Sequence, residues 1–290
     1  MENFNKSKSI ILCARQRSGT NLLRKAIETT EQCTNYAEIF NDNYFKIKEH
    51  SFFNYKLNLL KKDVNLSLPS AKNQYKIFNE YFNFLQMESK LPFHIIDIKY
   101  NSWHHFNSVW HSIPEMPQLL KWVVKREIPI IHIIRKNLLH QYISTTLAKQ
   151  TGKYHFKSSG NELQNAVIKI NTEHCKKSMR IIDEEGKKFR NWLNNYPNYY
   201  SINYKEIVSE NKFSNKINDL IKQVTKGEIV DLGEPPLKKV IKNPFEHIEN
   251  KEELIKSLKG TAFEVFIYDG QNRATLLNED LCSRIEIKVN

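Results

Sequence analysis

At 290 residues, 40% hydrophobic and 26% charged, the chain is globular in composition and long enough to bury a substantial core in one large domain or two small ones. Its 44 Lys and Arg against 32 Asp and Glu give a formal charge of +12, which favours anionic partners such as nucleic acid, membrane headgroups or a phosphate-bearing cofactor. The four cysteines, Cys13, Cys33, Cys175 and Cys282, show no C-x-x-C spacing, so neither a zinc site nor a disulfide framework is expected.

In chain order, the opening MENFNKSKS is polar and lacks the apolar centre of a signal peptide, and no apolar run reaches membrane-spanning length. A cytoplasmic protein without a transmembrane segment is expected. Residues 9–14 (SIILCA) form a short apolar run of the kind buried on both faces of a parallel sheet. Gly19 and Thr20 punctuate it, and residues 21–30 then read as a helix with Leu22, Leu23, Ala26 and Ile27 inward. Residues 45–60 and 75–87 have the pattern of aromatic-rich amphipathic helices. Residues 94–99 (HIIDIK) and 129–135 (PIIHIIR) are strand candidates, the second followed by a helix over 138–149.

A long helix is expected from about 161 to 196, with Leu163, Val167, Ile170, Ile181 and Phe189 on one apolar face and His174 on or near it as a core histidine. Residues 199–203 are a further strand and 226–246 an irregular connection. Asn250 is placed to cap a helix, with Glu253 completing a capping box and Gly260 ending it. Strands separated by helices predict an α/β fold, a central parallel sheet covered by helices on both faces, in a single domain over residues 1–290.

Two turns carry the chemistry. The first, Arg15-Gln16-Arg17-Ser18-Gly19-Thr20-Asn21, joins a buried strand to a helix. Such a turn aims backbone N–H groups at one point, where the helix start adds roughly half a positive charge. Arg15, Arg17, Ser18, Thr20 and Asn21 add side-chain donors around Gly19, which makes the turn a candidate cradle for an anionic oxygen cluster. It is not a Walker A loop, since G-x-x-x-x-G-K-[ST] is absent, which argues against an ATP or GTP enzyme. The second element is Arg135, at the end of a buried strand where open α/β sheets place ligands, followed by Ser144 on the next helix. An Arg and a Ser so arranged can grip a second phosphate; a solvated Arg at a strand end is the plainer alternative.

The turn RSGTNLL resembles the 5′-phosphosulfate loop of the sulfotransferase superfamily, in the Arg-Ser-Gly form of its carbohydrate and bacterial members. Gln16 stands where those enzymes usually carry proline. The run RKNLLHQYISTTLAKQTGKY is similar to the 3′-phosphate segment of trehalose-type and lipopolysaccharide-type sulfotransferases, with Arg135, Gln141, Ser144, Ala148, Thr151 and Gly152 in register. Residues 237–261 resemble the C-terminal segment of bacterial and nodulation-type enzymes, which implies that Lys238 or Lys239 reaches the nucleotide. The tail 269–290 has no recognised counterpart.

The resemblance implies a three-layer P-loop-like fold and 3′-phosphoadenosine 5′-phosphosulfate (PAPS) as sulfuryl donor, with no metal. The acceptor it implies is a hydroxyl on a carbohydrate or glycolipid, a small secondary metabolite being the alternative. Sulfuryl transfer needs in-line placement and charge stabilisation, a task for Arg17 and the N–H groups of the first turn. It also needs a base: Glu38, in NYAEIFN, resembles the proposed base of the trehalose-type enzymes. The competing segment follows the HIIDIK strand and holds Lys99, Tyr100, His104 and His105. A P-loop kinase would require the missing Walker lysine. A nucleic-acid partner would require basic residues interleaved with aromatics on one face, whereas here they are spread along the chain.

Overall fold

Short runs of isoleucine and leucine, too brief for helices and apolar on both sides, are the material of a fully covered parallel sheet. In the computed structural model, which describes residues 7–106, 115–152, 166–209, 211–237 and 244–268, they become strands β1 (Lys8–Ala14), β3 (Phe93–Lys99) and β4 (Ile130–Ile134). Strands β2 (Cys33–Ala37) and β5 (Tyr199–Asn203) complete a five-stranded sheet of order β2-β3-β1-β4-β5, and every pair in it is parallel. The expected strands over 9–14, 94–99, 129–135 and 199–203 are therefore present to within a residue at each end.

Alternation along these strands sends successive side chains to opposite faces. Ile11, Cys13, Ile96, Ile98 and Ile130 enter one core with helices α3 (Ala71–Glu88) and α4 (Gln118–Lys125). Leu12, Ala14, Ile95, Ile133 and Ile202 enter the other with α1 (Thr20–Glu28) and α7 (Asn215–Val224). The α/β fold, with its central parallel sheet flanked by helices, is as expected. No described helix is long and apolar enough to cross a membrane.

The chain divides into two compact units: Met1–Arg135 with Glu185–Lys238, and Lys136–Glu184 with Lys239–Asn290. The first holds the sheet. The second is helical and contains α5 (Leu138–Thr151), α8 (Lys251–Leu258) and α9 (Val265–Tyr268) around Leu139, Ile143, Met179 and Leu254.

Two helices begin later than the sequence pattern implies. The helix expected over 161–196 is α6, Thr172–Leu193, and residues 161–165 with Leu163 lie outside the described residues. Ile168 instead forms a parallel bridge with Ile248, and both backbone groups of Ile170 are taken by the Asn250 side chain at 2.8 Å. Asn250 therefore makes no cap bond to α8, although its amide does reach Glu253 at 2.9 Å. The Asn171 side chain accepts the His174 N–H and starts α6, which turns Cys175, Met179 and Ile182 inward. Val167 and Ile181 are left exposed, and His174 is exposed with its ring on the Tyr142 hydroxyl, so it is no core histidine. The helix expected over 45–60 is α2, Phe52–Lys62; Lys46 in a left-handed conformation, φ 61°, breaks the segment before it.

Candidate active site

The sheet order makes β1 and β4 neighbours while the chain leaves their C-terminal ends in opposite directions, β1 toward β2 and β4 toward β5. That is the switch point of an open parallel sheet, where a crevice opens beyond the strand ends. Both sequence-predicted anion elements start there: the turn Arg15–Gly19 leaves β1 and Arg135 leaves β4.

The turn is shaped by two left-handed residues. Gly19, φ 84°, precedes α1, and a Cβ there would lie 2.7 Å from the Tyr204 ring. Arg17 is left-handed without being glycine, φ 65°, and its carbonyl accepts a 2.8 Å hydrogen bond from Nη1 of Arg135. The Arg135 guanidinium also lies over the Tyr204 ring, 5.0 Å from its centroid. Burial pulls its pKa down, against an opposing pull from Tyr204. Arg135 is thus a half-buried cation held by a carbonyl and an aromatic face, with no carboxylate among the described residues paired to it.

The other turn residues are more engaged. Arg15 pairs with Glu185 at 2.6 Å, and burial raises the Glu185 carboxyl pKa against that attraction. Gln16, at the position where proline was expected, donates to Asn101 Oδ1 at 2.5 Å. Ser18 is buried and Asn21 half-buried on the first turn of α1. Ser144 is buried on α5 in the second unit. Lys238 and Lys239 lie outside the described residues, and so do the side chains of His104 and His105.

Glu38 directly follows β2. Its neighbour Ala37 is again left-handed, φ 59°, at a break in the β2–β3 register, and the Ala37 N–H is held by Asn35 Oδ1 at 3.1 Å. The Glu38 carboxylate is half-buried, 3.7 Å from Nζ of Lys99 and 3.4 Å from Nδ2 of Asn41. Lys99 ends β3, directly beside Ala14 in the ladder with β1. Its ammonium also donates to Thr20 Oγ1 and, at 2.8 and 2.6 Å, to both oxygens of Asp97.

Two nearby groups feel the same charges. Tyr44 has its pKa raised by burial and then by Glu38, and Lys48 has its pKa lowered by burial and then by Arg24. The structure therefore brings Glu38 and Lys99 together with the head of α1. Asp97 and Arg24 escaped the sequence reading, although an Asp two residues from a Lys inside a mostly apolar strand was a usable signal, and Tyr204 entered it only within a run, YYSINYKEIV, that resembles the family's strand and Tyr-x-x-Leu/Ile turn.

The family model of the Stf0 sulphotransferases matches residues 9–242, which span both turns, Glu38, Lys99 and Arg135. The chain belongs to the Stf0 sulphotransferase family. A comparison with curated proteins gives no match. Cations at the ends of β1 and β4 can hold anionic oxygens, and a carboxylate after β2 can accept a proton. No group of three or more His, Cys, Asp or Glu side chains that could hold a metal occurs among the described residues.

Proposed function

We propose that the chain transfers a sulfuryl group from PAPS to an acceptor hydroxyl, with a carbohydrate or glycolipid as the acceptor class. The observation that carries the reading is Arg135, a half-buried cation with no carboxylate partner among the described residues, bonded to the left-handed Arg17 of the β1–α1 turn at the switch point. The donor set fits a nucleotide with two separate anionic groups: the turn supplies N–H groups, Arg17 and a helix start, and Arg135 supplies a guanidinium with further N–H groups beyond the one Arg17 takes. Bound there, PAPS supplies an activated sulfuryl group on its 5′-phosphate and a 3′-phosphate as handle.

Arg17, Ser18, Thr20 and Asn21, with the N–H groups beside Gly19, hold the 5′ side; Arg135 holds the 3′-phosphate. The family resemblance adds Ser144 and one of Lys238 and Lys239 to the nucleotide contacts. Lys99 stabilises the negative charge that develops as the sulfuryl group moves. Glu38 takes the acceptor proton, with Asn41 steadying its carboxylate at 3.4 Å. Arg15, committed to Glu185, acts as a brace of the turn. This reading treats residues 1–290 as one sulfotransferase domain of three-layer, P-loop-like type, working in the cytoplasm on an acceptor of the bacterial carbohydrate kind.

Calorimetry with adenosine 3′,5′-bisphosphate and with ADP tests it. The expected result is tighter binding of the bisphosphate, because only that ligand presents a 3′-phosphate to Arg135. Equal or reversed affinities overturn the proposal.

A further inference from the structure

Asp97 and Lys99 are the only Asp, Glu, Lys or Arg residues buried among the described residues, exposed 1% and 5%. A buried carboxylate and ammonium persist only when each is fully paired, and hydrophobic side chains would fill such a place at lower cost in desolvation. Their position follows from two periodicities. On β3, residues 97 and 99 point to the same face, the one that carries Ile95 toward α1. On α1, Thr20 and Arg24 are four apart and share a face. The two pairs meet rung by rung: Thr20 accepts from Lys99, and Arg24 Nε lies 3.8 Å from Asp97 Oδ2.

We propose that Asp97 is a positioning residue of the transfer site, clamping the Lys99 ammonium with both carboxylate oxygens so that it stays between the head of α1 and Glu38. Lysine ends in a point charge on a flexible four-carbon stem, so without a clamp it samples many positions. Two of its three N–H donors are on Asp97, and the third is on Thr20 Oγ1. The Thr20 contact is the one exchanged when an anionic oxygen arrives, while the Asp97 contacts persist. Asp97 reaches the Glu38 side as well. Arg24, its second cation, donates from Nη1 to Asn35 Oδ1 at 3.2 Å, and that same oxygen holds the N–H of Ala37, the residue before Glu38. One buried carboxylate thereby orders the cation directly and the base through one arginine and one asparagine.

The inference deepens the sulfuryl-transfer reading and rests on it for what Lys99 does; the anchoring of Lys99 is testable without it. In the full-length protein with isotope-labelled lysine, NMR of the ammonium groups is expected to show one slowly exchanging signal that vanishes in Lys99→Met and averages with the surface lysines in Asp97→Asn. A Lys99 ammonium that already exchanges as fast as surface lysines in the unaltered protein overturns the clamp, whether or not the Asp97 variant folds.

The functional half is read by calorimetry with PAPS on Asp97→Asn, Lys99→Met and the double variant. Each single change is expected to weaken PAPS binding by about tenfold or more. The double variant is expected to bind no worse than Lys99→Met alone, because Asp97 acts through Lys99. Losses that multiply in the double variant indicate a structural role and overturn the proposal. If the unaltered protein binds no PAPS, the sulfuryl-transfer reading falls, and the lysine signal still decides the clamp.

Discussion

Arg135 and Lys99 stand at the ends of strands on either side of β1, and they are held in opposite ways. Lys99 is almost completely enclosed and its charge is answered by Asp97 and, at 3.7 Å, by Glu38. Arg135 is braced by a neutral carbonyl and a neutral ring, so its charge is answered by no side chain among the described residues. A cation pinned by neutral groups is prepared for an incoming anion, because binding does not first have to break an ion pair. A cation inside a balanced cluster is prepared to hold position while charge and protons move around it. The β1–α1 turn and the head of α1 lie between the two and contribute to both, Arg17 to Arg135 and Thr20 to Lys99.

The largest effect expected from this division is at Glu38. Glu38→Gln keeps the shape beside Lys99 and Asn41 but removes the basicity, so turnover should fall by about 10²–10⁴-fold with near-normal affinity for adenosine 3′,5′-bisphosphate. Steady-state kinetics alongside calorimetry separates the two quantities. Turnover that survives the change while thermal stability falls would make Glu38 a brace of the β2 end. Normal turnover beside an inactive His104→Ala variant would hand the proton to the segment after β3.

Arg135→Ala attacks the other side of the comparison. It should weaken adenosine 3′,5′-bisphosphate by about 2–5 kcal/mol, the range for losing one partner of a desolvated charged pair, and weaken ADP by much less. Calorimetry with the two ligands reads the difference. Equal losses for both would mean that Arg135 serves the turn, through the Arg17 carbonyl, and not the 3′-phosphate.

The two cations also differ in how far the sequence exposed them. Arg135 was legible because it ends an isoleucine-rich run interrupted only by His132, and a charge after such a run marks a strand's exit from the core. The β1–α1 turn was legible for the same reason, with Gly19 as punctuation. The Lys99 cluster was only half visible. Lys99 and Glu38 could each be singled out, but their meeting depends on β2 lying beside β3, and β2 (CTNYA) has too few apolar residues to announce a strand. Asp97 carried a readable signal, a charge two residues from Lys99 inside a buried strand, but nothing local says that Arg24 of α1 will lie beside it. Tyr204 follows the edge strand β5, and nothing local to it says that its ring will close on Gly19 and Arg135. The late start of α6 was similarly unreadable, since the pairing of Ile168 with Ile248 and the Asn250 bonds to Ile170 are contacts about 80 residues apart.

Gly19 gives the smallest and most discriminating test, because it touches one side of the comparison only. Its φ of 84° is open to glycine and strained for alanine, and the added Cβ would meet Tyr204 Cδ2 and Cε2 at 2.7 Å. The left-handed backbone alone costs alanine about 1–3 kcal/mol, and the overlap with the ring adds to that unless Tyr204 moves. The ring, however, closes only one side of Arg135 and can shift at the expense of its packing on the guanidinium. Gly19→Ala should therefore lower thermal stability modestly and weaken adenosine 3′,5′-bisphosphate through the displaced Tyr204, while the Lys99 ammonium signal stays as in the unaltered protein. Tyr204→Leu combined with Gly19→Ala relieves the clash and should recover stability but not nucleotide affinity, since the aromatic face under Arg135 is gone. Recovery of both would show that the ring contributes nothing to holding Arg135. Loss of the Lys99 signal in Gly19→Ala would show that the turn transmits strain through Thr20, and that the two cations form one coupled site.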